Sequence, residues 1–530
     1  DTAMADRAEK RVEERGADGK LVTGPDGEIL HVNLLEKLLV PALSKLSNLV
    51  PGGGIWMNTQ RPEWNDANNA LAGGGISVVT LCYLRRYLSF LVDLLDKTDD
   101  TALKVSSEVA DWFADLNAVF GDETNLLGAD PIGAGDRKRV MDALGAAFER
   151  YRAAAYDRGL TGRTDLSLSE VVTFCRTALA FTDASIAANR REDGLFHTYN
   201  VLEIADDGSG ADIMRLQEML EGQVAVLSSG MLSPAASLGV MEKLFASRMY
   251  RPEERSFLLY PERVLPGFLD KNNVPAAKVA GVGLLENLLA AGDPSLLTRD
   301  INDGLHFHGD LQCADDVAAV LDDLAEQPKW TAAVARDRGA VLDLFEDTFN
   351  HKSFTGRSGT MYGYEGLGCI YWHMVSKLLL AVQEVLLDTD PGDLTPELRD
   401  DLARMYFRVR AGIGYEKTVE EYGAFPTDPY SHTPGRGGAK QPGMTGQVKE
   451  EILTRRGELG ILVENGTVCF LPTLLKAEEF TREPAAFDFV DVDGMDQSLA
   501  LPAGGLGFTL CQIPVVSKVV DDRGAAAVRF

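Results

Sequence analysis

Between Gly75 and Lys97 the chain is apolar on nearly every side of a helical pattern. A helix with no polar face has to be wrapped by other elements. A bilayer is not the wrapping, because the uncharged run Ile76 to Leu84 stops at Arg85-Arg86, short of a membrane span. The fold therefore has to supply further helices. Leu34 to Leu46 reads as amphipathic, and Thr101 to Phe120, Asp136 to Tyr156 and Leu166 to Asn189 carry leucine, valine and alanine at helical spacing. Helical patterns resume at Asp315–Glu326, Thr331–Phe349, Gly368–Leu387 and Pro396–Arg408. That makes roughly ten helices with no repeated consensus at fixed period.

Two stretches break the helical series. His197 to Ala205 has strand composition, with further strand candidates at Ser256–Tyr260 and Leu305–His308. From Glu450 onward the pattern is β, at Leu459–Glu464, Thr467–Leu471, Phe487–Val492 and Leu506–Val516. The expected organisation is a polar segment over 1–32, helices over 33–195, an α/β insertion over 196–312, helices again over 313–449 and a β unit over 450–530. A mainly α fold results. Paired helices in this number fit an (α/α)6-type toroid with an α/β insertion and a C-terminal β-sandwich-like unit. The glycine- and proline-rich stretch 411–447 is long for a loop in a compact domain, and such loops are usually functional.

The 530 residues carry a net charge of −28, which opposes a polyanionic partner. Nucleic acid and membrane are not expected partners; neutral ligands, or anions in one local basic pocket, are. The six cysteines, Cys82, Cys175, Cys313, Cys369, Cys469 and Cys511, form no CxxC pair, and most sit in apolar runs. They read as reduced, buried thiols. The amino terminus is polar and charged rather than a secretion signal, and position 1 is not Met, so a cytoplasmic piece of a longer protein is expected.

Chemistry concentrates in Arg61-Pro62-Glu63-Trp64-Asn65-Asp66-Ala67-Asn68-Asn69, flanked by the glycine clusters Gly52–Gly54 and Gly73–Gly75. An aromatic plate ringed by carboxylates and amides suits a sugar, whose ring face stacks while its hydroxyls hydrogen-bond. Breaking its glycosidic bond requires an acid at the bridging oxygen. Arg61, Trp64, Asn65 and Asn69 are the candidate binding residues, and Asp66 and Glu63 the candidate acids. The plain alternative is a cap and loop before the apolar helix, but a cap needs only one such residue.

A second group spans Phe354 to His373. Tyr364 and Trp372 offer ring faces, and Glu365 and His373 offer proton or hydrogen-bond chemistry. Glu365 could instead serve the dipole of the following helix, and His373 could be a core histidine. A third group lies in the 425–447 loop, where His432, Arg436, Lys440, Gln441, Thr445 and Gly446 gather beside Asp428. Exposed backbone N–H groups, cations and a hydroxyl suit an oxyanion such as phosphate, although no P-loop pattern is present. The fourth, Leu305-His306-Phe307-His308-Gly309-Asp310, places two histidines on one side of a strand; a hydrogen-bonded strand end accounts for it better than a metal site.

Trp64-Asn65-Asp66, ahead of an apolar helix, resembles the corresponding segment of the inverting cellobiose and cellodextrin phosphorylases, and related (α/α)6-toroid glycoside hydrolases carry similar acidic segments. The resemblance covers residues 33–195 and 330–530. It implies that Asp66 is the general acid, with Trp64 beside it in the donor site. It also assigns Glu365, His373 and the pair Thr445-Gly446 by order and type, the last three to phosphate. The expected activity is an inverting phosphorolysis of a β-glucoside or oligoglucan, with inorganic phosphate as co-substrate, no cofactor and no metal. Glycoside hydrolysis is the alternative, with Asp66 or Glu63 as acid and Glu365 or Asp428 as base. A non-catalytic carbohydrate-binding scaffold is the third reading. The partners expected are an oligosaccharide or glucan substrate and, for the assembly, a homodimer.

Overall fold

A computed structural model describes residues 2–24, 27–57, 73–99, 101–129, 131–157, 159–261, 267–349, 354–355, 361–362, 372–389, 391–413, 447–464 and 466–520. The fold is mainly α-helical, and the chain divides into two units: Asp1–Val375 with Val409–Gly443, and Ser376–Arg408 with Met444–Phe530. Among the described residues no helix is long and apolar enough to cross a membrane.

In the first unit the helices pair lengthwise. Val78–Leu95 lies along Leu168–Ala187, and Ser107–Asp122 along Ala134–Asp157. Aromatic rings fill the seams: Trp112 stacks on Tyr151 at 4.3 Å and on Phe148 at 5.0 Å. Three helices start later than the apolar pattern suggests. Gly75–Ser77 is a strand, and the Ser77 hydroxyl then caps Val78–Leu95 by accepting from the Thr80 N–H at 2.9 Å. Ala102–Ser106 and Arg163–Ser167 pair antiparallel, Val105 opposite Thr164, and each runs straight into its helix. The expected all-round burial of the first of these helices is also corrected. Leu81 and Leu88 are buried, but Tyr83 and Phe90 are 43% and 53% exposed, because the neighbouring helices cover one side of it.

These helices back a five-stranded antiparallel sheet, ordered Leu49–Val50, Gly54–Trp56, Gly75–Ser77, Tyr199–Ile204, Ala211–Arg215. It takes strands from both sides of residue 196. Further along, one apolar core gathers residues from Val274 to Phe349, including Leu284, Phe307, Val317, Trp330 and Phe345. This core takes residues from both sides of residue 313. Its helices Ala314–Ala325 and Thr331–Phe349 pack as a pair over the hairpin Leu297–Arg299 and Leu305–Phe307.

The second unit holds a helix that apolar spacing does not reveal. Gln447–Glu458 is helical where β pattern was expected, and its inner face is Glu450, Thr454 and Glu458, all buried. Tyr406 donates to Glu458 at 2.6 Å, and Gln383 donates to the Thr454 carbonyl at 2.7 Å. Gly457 lets Gln383 in, since a Cβ there would fall 2.2 Å from Oε1 of Gln383. Beyond it lie three antiparallel hairpins: Ile461–Glu464 with Thr467–Phe470, Ala485–Val490 with Asp496–Leu501, and Gly505–Leu510 with Ile513–Lys518. The single strand expected over Leu506–Val516 is thus a hairpin, turning at Cys511-Gln512. That turn leaves Cys511 exposed, and Cys313 is exposed at a helix start, so general thiol burial does not hold. Cys82 and Cys175 are buried, and burial pushes the Cys175 thiol up to about 12.

Candidate functional site

Most of the site expected from sequence lies outside the described residues: Arg61, Glu63, Trp64, Asn65, Asp66, Asn69, Tyr364, Glu365, Asp428, His432, Arg436, Gln441, Thr445 and Gly446. Trp372 opens the helix Trp372–Leu387, and His373 beside it is half-buried. What the structure does define is the set of stems from which those segments depart.

The stem of the Asp66 segment is fixed most firmly. The chain leaves the sheet after Gly54–Trp56 and re-enters it at Gly75–Ser77, two strands that pair directly with Ile55 opposite Ser77. The Trp56 indole N–H donates to the Gly73 carbonyl at 2.7 Å, and the Met57 N–H to the Gly75 carbonyl at 2.9 Å, so both ends of residues 58–72 are tied. At the start of the outgoing strand the turn Pro51-Gly52-Gly53-Gly54 needs its glycines. Gly52 has φ 75°, and a Cβ on Gly54 would lie 2.8 Å from the Ser77 carbonyl oxygen.

That turn is gripped by a buried polar network. Arg137 donates to the carbonyls of Pro51 at 2.9 Å and Ala211 at 2.7 Å. Asn189 and Asn200 both donate to the Gly53 carbonyl, at 3.1 and 3.0 Å, and Arg215 donates to Gly52 at 2.8 Å and also to Asn189. Burial, and then the nearby Arg137, push Arg215 down to about 10. Every backbone carbonyl of the turn from Pro51 to Gly53 therefore has a side-chain donor, which holds the launching strand in place.

At the far end of the strand Met57 packs against a cluster of Tyr199, Met219 and Tyr260, which Val201 and Leu259 also cover. On the edge of this cluster Tyr199 donates to Glu221 Oε2 at 2.9 Å. Glu221 is half-exposed at the start of Leu220–Ser228, a helix whose residues from Gly222 to Leu227 are all buried. Tyr260 also leads, five undescribed residues after Pro261, into the body that begins at Gly267. That body returns the chain beside its own start: Phe268 and Phe349 stack at 5.9 Å, and Lys271 donates to the Phe349 carbonyl. From Phe349 the chain continues toward Glu365 and His373. Sequence spacing did not single out Tyr199, Glu221 or the Pro51–Gly54 network; their partners come from helices and strands far apart in the chain and meet only in the folded structure.

Within that body, His306 is hydrogen-bonded through Nδ1 to the Asn272 carbonyl and through Nε2 to Asp300 at 3.1 Å. The Asn272 hydrogen bond, then Asp300, hold its imidazole above the ordinary histidine range. His308 lies at the strand end, where its Nδ1 accepts from the Asp310 N–H at 3.3 Å. Among the described residues no group of three His, Cys, Asp or Glu side chains is arranged to hold a metal ion.

Comparison with known proteins returns one family and a negative. No curated protein matches the chain at a significant level. Residues 265–352 match the family described as GH149 phosphorylase insertion domain 2, and this segment coincides with the body whose core runs from Val274 to Phe349.

Proposed function

We infer that this chain is a carbohydrate-active enzyme, an inverting glycoside phosphorylase that cleaves a β-glucoside or oligoglucan with inorganic phosphate. The observation that carries the reading is the match of residues 265–352 to an insertion domain of a phosphorylase family. The Trp64-Asn65-Asp66 segment supports it from a different part of the chain. So do the stems: the segment bearing Asp66 departs beside Tyr260, from which the inserted body starts, and the segment bearing Glu365 departs from that body's end. In this reading the paired helices close into an (α/α)6 toroid and the C-terminal hairpins form a β-sandwich.

Asp66 protonates the glycosidic oxygen as the bond to the anomeric carbon breaks. Phosphate, held by His373, His432, Arg436, Thr445 and Gly446, attacks that carbon from the opposite face. Phosphate is already a nucleophile, so no second carboxylate has to activate water. A β-glucoside would leave as an α-sugar 1-phosphate. Trp64 and Tyr364 supply ring faces, while Arg61, Asn65, Asn69 and Gln441 take hydroxyls.

The test is sugar 1-phosphate release across a panel of disaccharides and β-glucans, with and without phosphate. Asp66→Asn should lower turnover by about 10²–10⁴-fold while sugar binding survives, since the amide keeps the shape and loses the proton. Turnover that does not depend on phosphate would overturn the reading in favour of hydrolysis, with Glu365 or Asp428 as base.

A further inference from the structure

The grip on the turn Pro51–Gly54 is costly in a way that stability alone does not explain. Arg137 donates only to the carbonyls of Pro51, Ala211 and Ile132. Arg215 donates only to the carbonyls of Gly52 and Ala188 and to the side-chain oxygen of Asn189. Neither guanidinium is ion-paired with a carboxylate among the described residues; Asp212 acts on Arg137 only at a distance. Burial, and then the nearby Arg137, depress the Arg215 pKa. Two cations are thus withdrawn from water close together with no counter-charge in contact, in a chain with 80 acidic residues to choose from. Asn200 adds to the cost. It is fully buried and donates to the Gly53 carbonyl and to Asn189, while its own side-chain oxygen has no hydrogen-bond partner.

What these bonds fix is the course of the backbone. Their acceptors in the turn are the main-chain carbonyls from Pro51 to Gly53, and the Gly52 N–H donates in turn to the buried Ser185 hydroxyl at 3.1 Å. The donors come from the helix Ala134–Asp157, from Asn189 just past Leu168–Ala187, and from the strands Tyr199–Ile204 and Ala211–Arg215. Elements far apart in the chain therefore converge on one short piece of backbone. That piece starts the strand Gly54–Trp56, whose far end is tied by Trp56 to Gly73 and by Met57 to Gly75. Stranded polar groups and unpaired cations are tolerated where they hold a functional geometry that a cheaper arrangement would not.

We propose that Arg215 and Asn200 are positioning residues for the reaction, acting through the turn Pro51–Gly54 on the strand that leads into the Asp66 segment. The proposal rests on the phosphorylase reading and adds residues that touch no substrate. A small displacement of a reacting group lowers turnover by up to about 100-fold. Arg215→Gln should therefore lower kcat by about 10- to 100-fold and leave KM for inorganic phosphate unchanged, because the residues named for phosphate lie on other segments. Asn200→Leu is the sharper variant. It removes the stranded oxygen, and the Gly53 carbonyl keeps its bond from Asn189. Its Tm should stand at or above the parent's while kcat falls by about tenfold. Amide exchange at Met57 in the full chain reads the stem without turnover, and should quicken in both variants.

Parental kcat in both variants overturns the proposal, and does so even if exchange at Met57 quickens, since the network would then fix the strand without serving the reaction. A phosphate KM that rises as far as kcat falls also overturns it, being the pattern of a general loosening. Should Arg215→Gln fail to fold, Asn200→Leu carries the test. If Asp66→Asn keeps full turnover, the phosphorylase reading itself fails. If Asp66→Asn is inactive and both network variants turn over normally, only the positioning role is lost.

Discussion

A single imidazole shows how much one side chain can tie together. Nδ1 of His306 faces the Asn272 carbonyl, which can only accept, and Nε2 faces the Asp300 carboxylate. Both bonds are satisfied at once only by the doubly protonated ring. The hydrogen bond to Asn272, then the one to Asp300, raise the His306 pKa in the folded state. A raised folded pKa contributes stability that is fully present below the unfolded value, about 6.5, and is lost as pH climbs through the folded value. Asp300 behaves oppositely. Its hydrogen bond from His306, then those from the Gly304 and Asn302 amides, lower its pKa, so its contribution is present above about 3.9 and lost as pH falls through the folded value. Thermal unfolding across pH should therefore show an alkaline decline that His306→Gln removes; an identical decline in the variant would sink this account. Glu36 is a second tie. Its side chain is 2% exposed and accepts from the Ser106 amide and from Arg163, both at 2.9 Å. Glu36→Ala strands a buried N–H and a guanidinium, and should cost about 2–4 kcal/mol, read from the urea midpoint.

At the scale of elements, the C-terminal hairpin Gly505–Leu510 with Ile513–Lys518 turns through two residues that both have positive φ, Cys511 at 50° and Gln512 at 65°. That is the geometry of a two-residue primed turn, which Asn-Gly suits and Cys-Gln does not. The pair Cys511→Asn and Gln512→Gly should stabilise the hairpin by about 1 kcal/mol and slow amide exchange at Phe508 and Val515 about fivefold. Unchanged exchange would mean that the strain is relieved elsewhere. The same hairpin marks where sequence reading stops. Thr331–Phe349 is legible end to end, because Val334, Val341, Leu344, Phe345 and Phe349 repeat at helical spacing and are all buried. Gln447–Glu458 is illegible by that criterion, since its repeat is carried by Glu450, Thr454 and Glu458. Ala102–Ser106 and Arg163–Ser167 look like helix starts because what makes them strands is each other, with Leu103 opposite Leu166 across a long stretch of chain. The candidate site divides in the same way. Trp64-Asn65-Asp66 is a local word that sequence carries whole, whereas Tyr199 with Glu221, and Arg137 and Arg215 with the Pro51–Gly52 carbonyls, are meetings that only the fold creates.

For the whole molecule the telling feature is that the body matched by the phosphorylase insertion family begins and ends at one place. Phe268 stacks on Phe349, so the two chain crossings lie side by side, and the core between them from Val274 to Phe349 is its own. Internal polar groups are also met locally. The Asn272 side chain exchanges two 2.8 Å hydrogen bonds with the backbone of Phe307, in the manner of a neighbouring strand, and Asp337 accepts from the Leu284 amide at 2.7 Å. A segment with its own core, its own polar partners and adjacent ends has what a domain requires to fold alone. Residues 265–352, produced as a separate chain, should therefore show helical circular dichroism and a single cooperative thermal transition. The reciprocal experiment joins Pro261 to residue 353 through a short glycine linker. The Pro51–Gly54 network and the helix pairs from Val78 to Ala187 draw no residue from the removed segment, so the shortened chain should keep its own cooperative transition. A fragment that stays molten, or a shortened chain that loses its transition, would show that the inserted body and its host are stabilised together, and that the shared exit at Tyr260 is a structural joint as well as a point of departure.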